Sequence, residues 1–251
     1  MPSDPKQGLV IAISSPNVGN DGTIYFGTLN NLVALNPDGT KKWTYPGGFE
    51  STLAIGADGT IYGTNGNVLD ALKPDGTLKW SFATGNDLGF NPREQQDPAI
   101  GSDGTIYLSA NNLDSSDPTK TICSVYAINP NGSVKWTFNS GNTEVLAPCV
   151  GSDGTIFFAT QAAGTGGVTA LSPAGKVLWT FTTSTGGVGS PAICSDGSLV
   201  FCDVSGMIYM LNHNGTLRWS KLVPGIGAWL SPTIGPDGTL YFPGAGLFVI
   251  K

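Results

Sequence analysis

The chain has 251 residues with 12 Lys and Arg against 18 Asp and Glu, and its net charge of −6 without a basic run argues against nucleic acid or an anionic membrane surface as partner. It holds no run of about 18 apolar residues such as a membrane-spanning helix needs, and four cysteines are too few for a disulfide framework, so free and mostly buried thiols are expected. The start, MPSDPKQGLVIAI, is too polar for a signal peptide; abundant Gly, Ser, Thr and Asn suggest an extracellular or periplasmic setting, with a cytoplasmic one as the alternative.

Read in chain order, one sentence is written six times. VGNDGTIYFGTLNNLVALNPDGTKKWTY stands at 18 to 45 and IGADGTIYGTNGNVLDALKPDGTLKWSF at 55 to 82. Longer versions begin IGSDGTIYLS at 100 and VGSDGTIFFAT at 150, a compact one begins ICSDGSLVFC at 193, and a sixth, IGPDGTLYFPGAGLFVIK, begins at 234. Six copies of about 42 residues each mark a propeller or solenoid. Each unit reads as a short inner strand (Ser190-Pro191-Ala192-Ile193), an Asp-Gly turn and a β-branched run (Thr23 to Phe26). A loop, a second apolar run (Leu32 to Leu35), a second turn (Asn36-Pro37-Asp38-Gly39) and a last strand (Lys41 to Tyr45) follow. No segment carries a helical period, so the unit is a four-stranded meander, one propeller blade.

The second and third strands are apolar on both faces, as a blade between two neighbours requires. The last strand alternates: Lys42, Lys79, Lys135 and Arg218 face one way, and Trp43, Trp80, Trp136, Trp179 and Trp219 the other. The periodicity alone assigns these tryptophans to the core, each seconded by Tyr45, Phe82, Phe138 or Phe181 in all but the fifth unit, which has Lys221. The fold class is therefore all-β: a single domain over 1–251, a six-bladed β-propeller of four-stranded antiparallel blades with repeats near 14–50, 51–96, 97–146, 147–189, 190–230 and 231–251. The sixth repeat stops at Lys251 without its Trp-bearing strand. Residues within 3–13, whose GLVIAI can form a strand, are expected to pair with Leu247 to Ile250 and join the termini in one blade.

The unit DGTIYFGTLNNLVALNPDGTKKWTY resembles the repeat of the PQQ-like propellers, the family of quinoprotein alcohol dehydrogenases and of the assembly lipoprotein BamB, from about Ser14 to Lys251. That resemblance implies that the repeat Trp docks between blades. WD40 repeats have similar length but need Gly-His and Trp-Asp signatures, whereas every repeat Trp here precedes Thr or Ser. In the quinoprotein dehydrogenases the quinone lies against a disulfide of adjacent cysteines beside a calcium ion. Here Cys123, Cys149, Cys194 and Cys202 lie apart, so the resemblance carries over no redox site and no cofactor is expected.

The candidate chemistry is sparse. Asp21, Asp58, Asp103, Asp153, Asp196 and Asp237 each supply one carboxylate per turn, too few for a calcium loop, and read as hairpin turns with glycine at φ > 0; no metal site is expected. His213, the only imidazole, replaces the proline of the second turn and reads as an exposed turn residue.

Length varies on the other side of each unit, in 83–96, 109–122, 139–146, 160–167 and 221–229, and insertions on one rim of a rigid scaffold build binding surfaces. Trp229, the only Trp off the repeat position, is counted to the place held by Glu50, Gln95, Val145 and Val188, at the mouth of a central channel. With Glu50, Arg93, Glu94, Gln95 and Gln96 it forms a candidate ligand-binding set, the ring as platform and the polar groups giving direction. The reading favoured is a non-catalytic module presenting a variable loop face to a glycan, peptide or protein. The alternative is a small hydrolase or lyase acting on a polysaccharide with Glu50 and Glu94 as acid and base; one loop Arg and scattered acids weigh against it.

Overall fold

The computed structural model describes residues 14–85, 97–114, 116–141, 143–162, 164–226, 231–244 and 246–251, and all of their regular structure is β. Residues 14–85 and 97–98 belong to one compact unit, those from 99 onward to a second.

Two sheets build the first unit. β1 (Asn17–Val18), β2 (Ile24–Gly27), β3 (Asn31–Leu35) and β4 (Lys41–Pro46) pair in chain order, as do β5 (Ala54–Ile55), β6 (Ile61–Asn65), β7 (Val68–Leu72) and β8 (Leu78–Ala83). The second unit opens with a sheet of β9 (Ala99–Ile100), β10 (Ile106–Asp114), β11 (Asp117–Ile128) and β12 (Val134–Gly141). β13 (Glu144–Val145), β14 (Cys149–Val150), β15 (Ile156–Ala162), β16 (Thr165–Leu171) and β17 (Val177–Thr183) form the next. β18 (Ala192–Ile193), β19 (Leu199–Cys202), β20 (Met207–Leu211) and β21 (Leu217–Leu222) follow, then β22 (Thr233–Ile234), β23 (Leu240–Pro243) and β24 (Leu247–Ile250). Every pairing is antiparallel.

Four of these six sheets have the four strands expected. The fourth departs because β13 and β14 both pair with β15, so the segment leading into it adds a strand; the sixth has three strands among the described residues. The expected partner of its last strand, residues 3–13, lies outside the described residues.

The turns show why the repeat insists on Asp-Gly. In the first, the Gly22 amide donates to the Gly19 carbonyl at 2.9 Å with Gly22 at φ +78°, and the Gly19 amide reaches the Thr23 carbonyl at 2.8 Å. A side chain at that φ would be strained, so glycine closes the three-residue hairpin. Asp21 locks it, accepting from the Thr23 amide at 3.0 Å and the Thr23 hydroxyl at 2.8 Å.

Packing follows the predicted periodicity. β3 and β7 are buried on both faces, while β4, β8, β12 and β17 alternate between exposed and half-buried. One cluster spans the two sheets of the first unit (Tyr25, Leu32, Ala34, Phe49, Leu53, Ile61 and Leu72) and others join successive sheets of the second.

The repeat tryptophans correct the expectation of a core position, since all five are half-buried. Trp43 lies against Tyr25 at 5.7 Å between centroids, and its Nε1 donates to the Pro74 carbonyl of the following repeat at 3.0 Å. Trp136 and Trp179 bond the Pro173 and His213 carbonyls in the same way, at 2.9 and 3.0 Å. An indole carries one N–H that needs an acceptor, which draws the ring to the rim of the apolar cluster rather than into it.

Candidate binding face

A meander places the turns β1–β2 and β3–β4 at one end of its sheet, and the β2–β3 hairpin with the crossover to the next sheet at the other. The two ends differ in chemistry.

The turn end is a set of ion pairs. Lys42, Lys79, Lys135 and Arg218 reach Asp21, Asp58, Asp103 and Asp196 at 3.0 to 3.2 Å. Hydrogen bonds from Thr23 and Lys42 hold the Asp21 carboxyl at about 2; those from Thr105 and Lys135, and from Ser198 and Arg218, do the same for Asp103 and Asp196. The fourth sheet deviates in a compensated way. Leu178 stands where the others have Lys or Arg, and its Asp153 is met instead by His213 Nε2 of the next repeat at 3.0 Å, the imidazole standing edge-on to Phe157. His213 is thus a turn residue, as expected, with a structural partner that repeat counting did not reveal.

The hairpin end is raised on the third and fourth sheets, where β10, β11 and β12 run to 9, 12 and 8 residues and β15, β16 and β17 to 7 each, against 4 or 5 for β2, β6 and β19. The crossovers at this end are pinned by buried and half-buried polar groups. Asn111 both donates to the Val145 carbonyl and accepts from its amide, each at 3.0 Å. Asn65 Oδ1 accepts from the Gly48 amide at 3.2 Å, and the Thr52 amide donates to Asp97 at 2.6 Å. Gln161 donates to Glu144, leaving its own Oε1 buried and, among the described residues, unpartnered.

Asp203, 1% exposed, is the most heavily bonded carboxylate described. It accepts from the amide and hydroxyl of Ser205, the Met207 amide, the Thr185 hydroxyl and the Tyr209 hydroxyl. Burial pushes its carboxyl up, but these bonds outweigh that and hold it below the ordinary value; burial and Asp203 together push Tyr209 to about 12. A carboxylate with its lone pairs so occupied is a knot in a hairpin rather than a general base. Asp70 is the opposite case: burial beside Tyr45 raises it despite hydrogen bonds from Ser81 and Asn65, and burial likewise raises Asp97.

Of the residues expected to bind ligand, Glu50 is placed half-buried on a crossover, between Phe49, which bridges to Asn65, and Ser51, whose hydroxyl bonds Thr64. Arg93, Glu94, Gln95, Gln96 and Trp229 lie outside the described residues. The register does correct how these positions were matched. Phe49, Val145, Val188 and Ile226 are the buried crossover residues that bridge to Asn65, Thr160, Asp203 and Gly244, each four residues past the start of its second strand. Ile226, not Trp229, therefore holds the Val145 and Val188 position, and Phe49, not Glu50, holds it in the second sheet. Counting back a fixed distance from the Asp-Gly turn fails where crossovers differ in length. Asn65, Asn111 and Asp203 escape a sequence reading because the end of a hairpin strand carries no repeat signature.

The cysteines do not fit a quinone. None is adjacent to another in the chain, and burial pushes Cys149 and Cys202 to about 12 and 11. Among the described residues no three of His, Cys, Asp and Glu converge as metal ligands, and no helix is long and apolar enough to cross a membrane.

A family model described as outer membrane protein assembly factor BamB matches residues 123–247. No curated protein matches significantly. Among solved structures, BamB from Moraxella catarrhalis is 16% identical over 96% of this chain and 85% of its own, with a TM-score of 0.58. Selenomethionine-substituted virginiamycin B lyase from Staphylococcus aureus is 17% identical over 96% and 80%, with a TM-score of 0.72. The WD40 β-propeller domain of Doa1 is 15% identical over 97% and 78%, with a TM-score of 0.61. At such identities these structures speak for fold alone.

Proposed function

We propose that this chain, which belongs to the PQQ-like β-propeller repeat family, is a non-catalytic scaffold: six blades of one propeller whose hairpin end receives a protein or peptide partner. The observation that carries this reading is the contrast between the two ends. The turn end spends most of its first-turn charges on itself, while the hairpin end is built up on two neighbouring sheets and anchored at Asn65, Asn111 and Asp203. Rigid, pre-ordered loops bind with a smaller entropy cost, which suits recognition of another chain. The best-placed carboxylates, Asp203 and Glu144, are tied into hydrogen bonds, which favours binding over acid–base chemistry. Glu50, Arg93, Glu94, Gln95, Gln96 and Trp229 are assigned to this face as contact residues, Trp229 as its aromatic anchor. The match to a BamB model supports a protein partner over a glycan, and an extracellular or periplasmic setting.

The test is a parallel screen of an envelope-protein peptide array and a glycan array, followed by two variants. Trp229→Ala should weaken binding of a peptide hit about tenfold or more, and Asp38→Ala at the turn end should leave it unchanged. Binding to glycans alone, or turnover of a polysaccharide, would replace this reading.

A further inference from the structure

Two of the second turns carry a nitrogen that the turn itself does not use. Asn131-Gly132-Ser133 and Asn214-Gly215-Thr216 stand where the first two sheets have Asp38-Gly39-Thr40 and Asp75-Gly76-Thr77. Either residue closes the turn. Asp38 and Asp75 each accept from the amide and the hydroxyl two residues on, at 2.9 and 2.6 Å. Asn131 and Asn214 accept the same two bonds through Oδ1, at 3.0 and 2.7 Å and at 3.2 and 2.7 Å. The hydroxyls of Ser133 and Thr216 in turn receive Nδ2 of Asn129 and Asn212 at 3.0 and 2.9 Å, so each donates onward to the carboxamide oxygen with its direction fixed. Asparagine thus adds only its own Nδ2, and among the described residues that group has no partner at either position. Both side chains are exposed. Of the chain's asparagines, only these two are followed two residues later by Ser or Thr.

We propose that Asn131 and Asn214 are acceptors for N-linked oligosaccharide in the exported chain, an assignment that rests on the extracellular or periplasmic setting proposed above. Asn-x-Ser/Thr with x other than proline is the acceptor pattern, and it marks exposed loops of secreted proteins. In the transfer, Nδ2 attacks C1 of an oligosaccharide carried on a polyprenyl diphosphate. The N–C1 bond forms, the bond from C1 to the diphosphate oxygen breaks, the lipid diphosphate leaves with the electron pair, and the amide nitrogen gives up one proton. The folded turn has room for the product, because the oxygen alone holds the carboxamide and the side chain lies at an exposed tip. The two turns join β11 to β12 and β20 to β21, at the end of each sheet away from its hairpin, so the added sugars leave the hairpin end open to a partner.

The test is cell-free translation of the full chain behind a cleavable export signal in the presence of microsomes, with only the protease-protected chain scored. Because the signal supplies the compartment, a negative result counts against these turns and leaves the proposed native setting to stand or fall separately. Two steps of reduced mobility are expected, both removed by peptide N-glycosidase. Asn131→Asp and Asn214→Asp should each remove one step, and the pair both, in a fold that is kept because Asp38 and Asp75 close the same turn. Ser133→Ala should remove the step at Asn131 while leaving its Nδ2 in place. A protected chain that lacks a glycan at one of the asparagines overturns the assignment there, and steps that survive the double Asp replacement overturn it for both.

Discussion

Replacing Gly76 and Gly39 by alanine separates backbone strain from tryptophan contact. Both glycines occupy the second turn of their repeats in the first unit, both at φ +83°. A Cβ on Gly39 would meet nothing within 4 Å, whereas one on Gly76 would stand 2.7 Å from Trp43 Cδ2, where ordinary contact begins at 3.4 Å. Alanine in the left-handed region costs about 1 to 2 kcal/mol, so Gly39→Ala should destabilise by about 1 kcal/mol after the smaller entropy of its unfolded chain is counted. Gly76→Ala bears the same strain and must also lift the indole, with its 3.0 Å bond to the Pro74 carbonyl. Overpacking adds about 1 to 3 kcal/mol, for a total of about 2 to 4. Urea unfolding at unchanged slope reads both values. In a Trp43→Leu background the cost of Gly76→Ala should fall back to that of Gly39→Ala, a coupling of about 1 to 3 kcal/mol. Equal costs for the two glycines, or additivity with Trp43→Leu, would refute the assignment of the ring to this turn.

Three further outcomes follow from the polar network. Asp203→Ala strands the hydroxyls of Thr185, Ser205 and Tyr209 and two amides, and should cost about 3 kcal/mol in urea unfolding; less than about 1 kcal/mol would contradict the knot. Asp70 has a raised folded pKa, so its favourable share of stability is complete below the ordinary carboxylate value of 3.8 and is lost as pH rises through the folded value. Asp70→Asn should therefore raise the melting temperature at pH 7, with the gain fading as pH falls below 3.8; a gain independent of pH would contradict it. Leu178→Lys should offset the loss caused by His213→Pro, since it restores within the repeat the partner for Asp153 that His213 supplies from outside it, with a coupling of about 0.5 kcal/mol in a double-mutant cycle. No coupling would mean that the two departures from the repeat are unrelated.

The sequence by itself determined the repeat, the strand order within each sheet and the turn chemistry. These rest on local rules: glycine where φ is positive, aspartate two residues before a hydroxyl, period-two apolar runs. Gly22, Asp21 and Thr23 can be read without knowing what lies beyond residue 46. The half-burial of Trp43, by contrast, depends on the Pro74 carbonyl 31 residues on, and the pairing of Asp153 with His213 arises only where two successive repeats meet. The same holds for the crossover anchors. Asn111 and Asp203 look like unremarkable polar residues until hairpins and crossovers of unequal length bring Val145 and Thr185 against them. Register inside a hairpin is set by its turn and transmitted residue by residue, so sequence carries it. A contact between separate hairpins is set by the lengths of the loops joining them, and those lengths follow no period; only the tertiary structure decided that Ile226 is the crossover residue that bridges to Gly244.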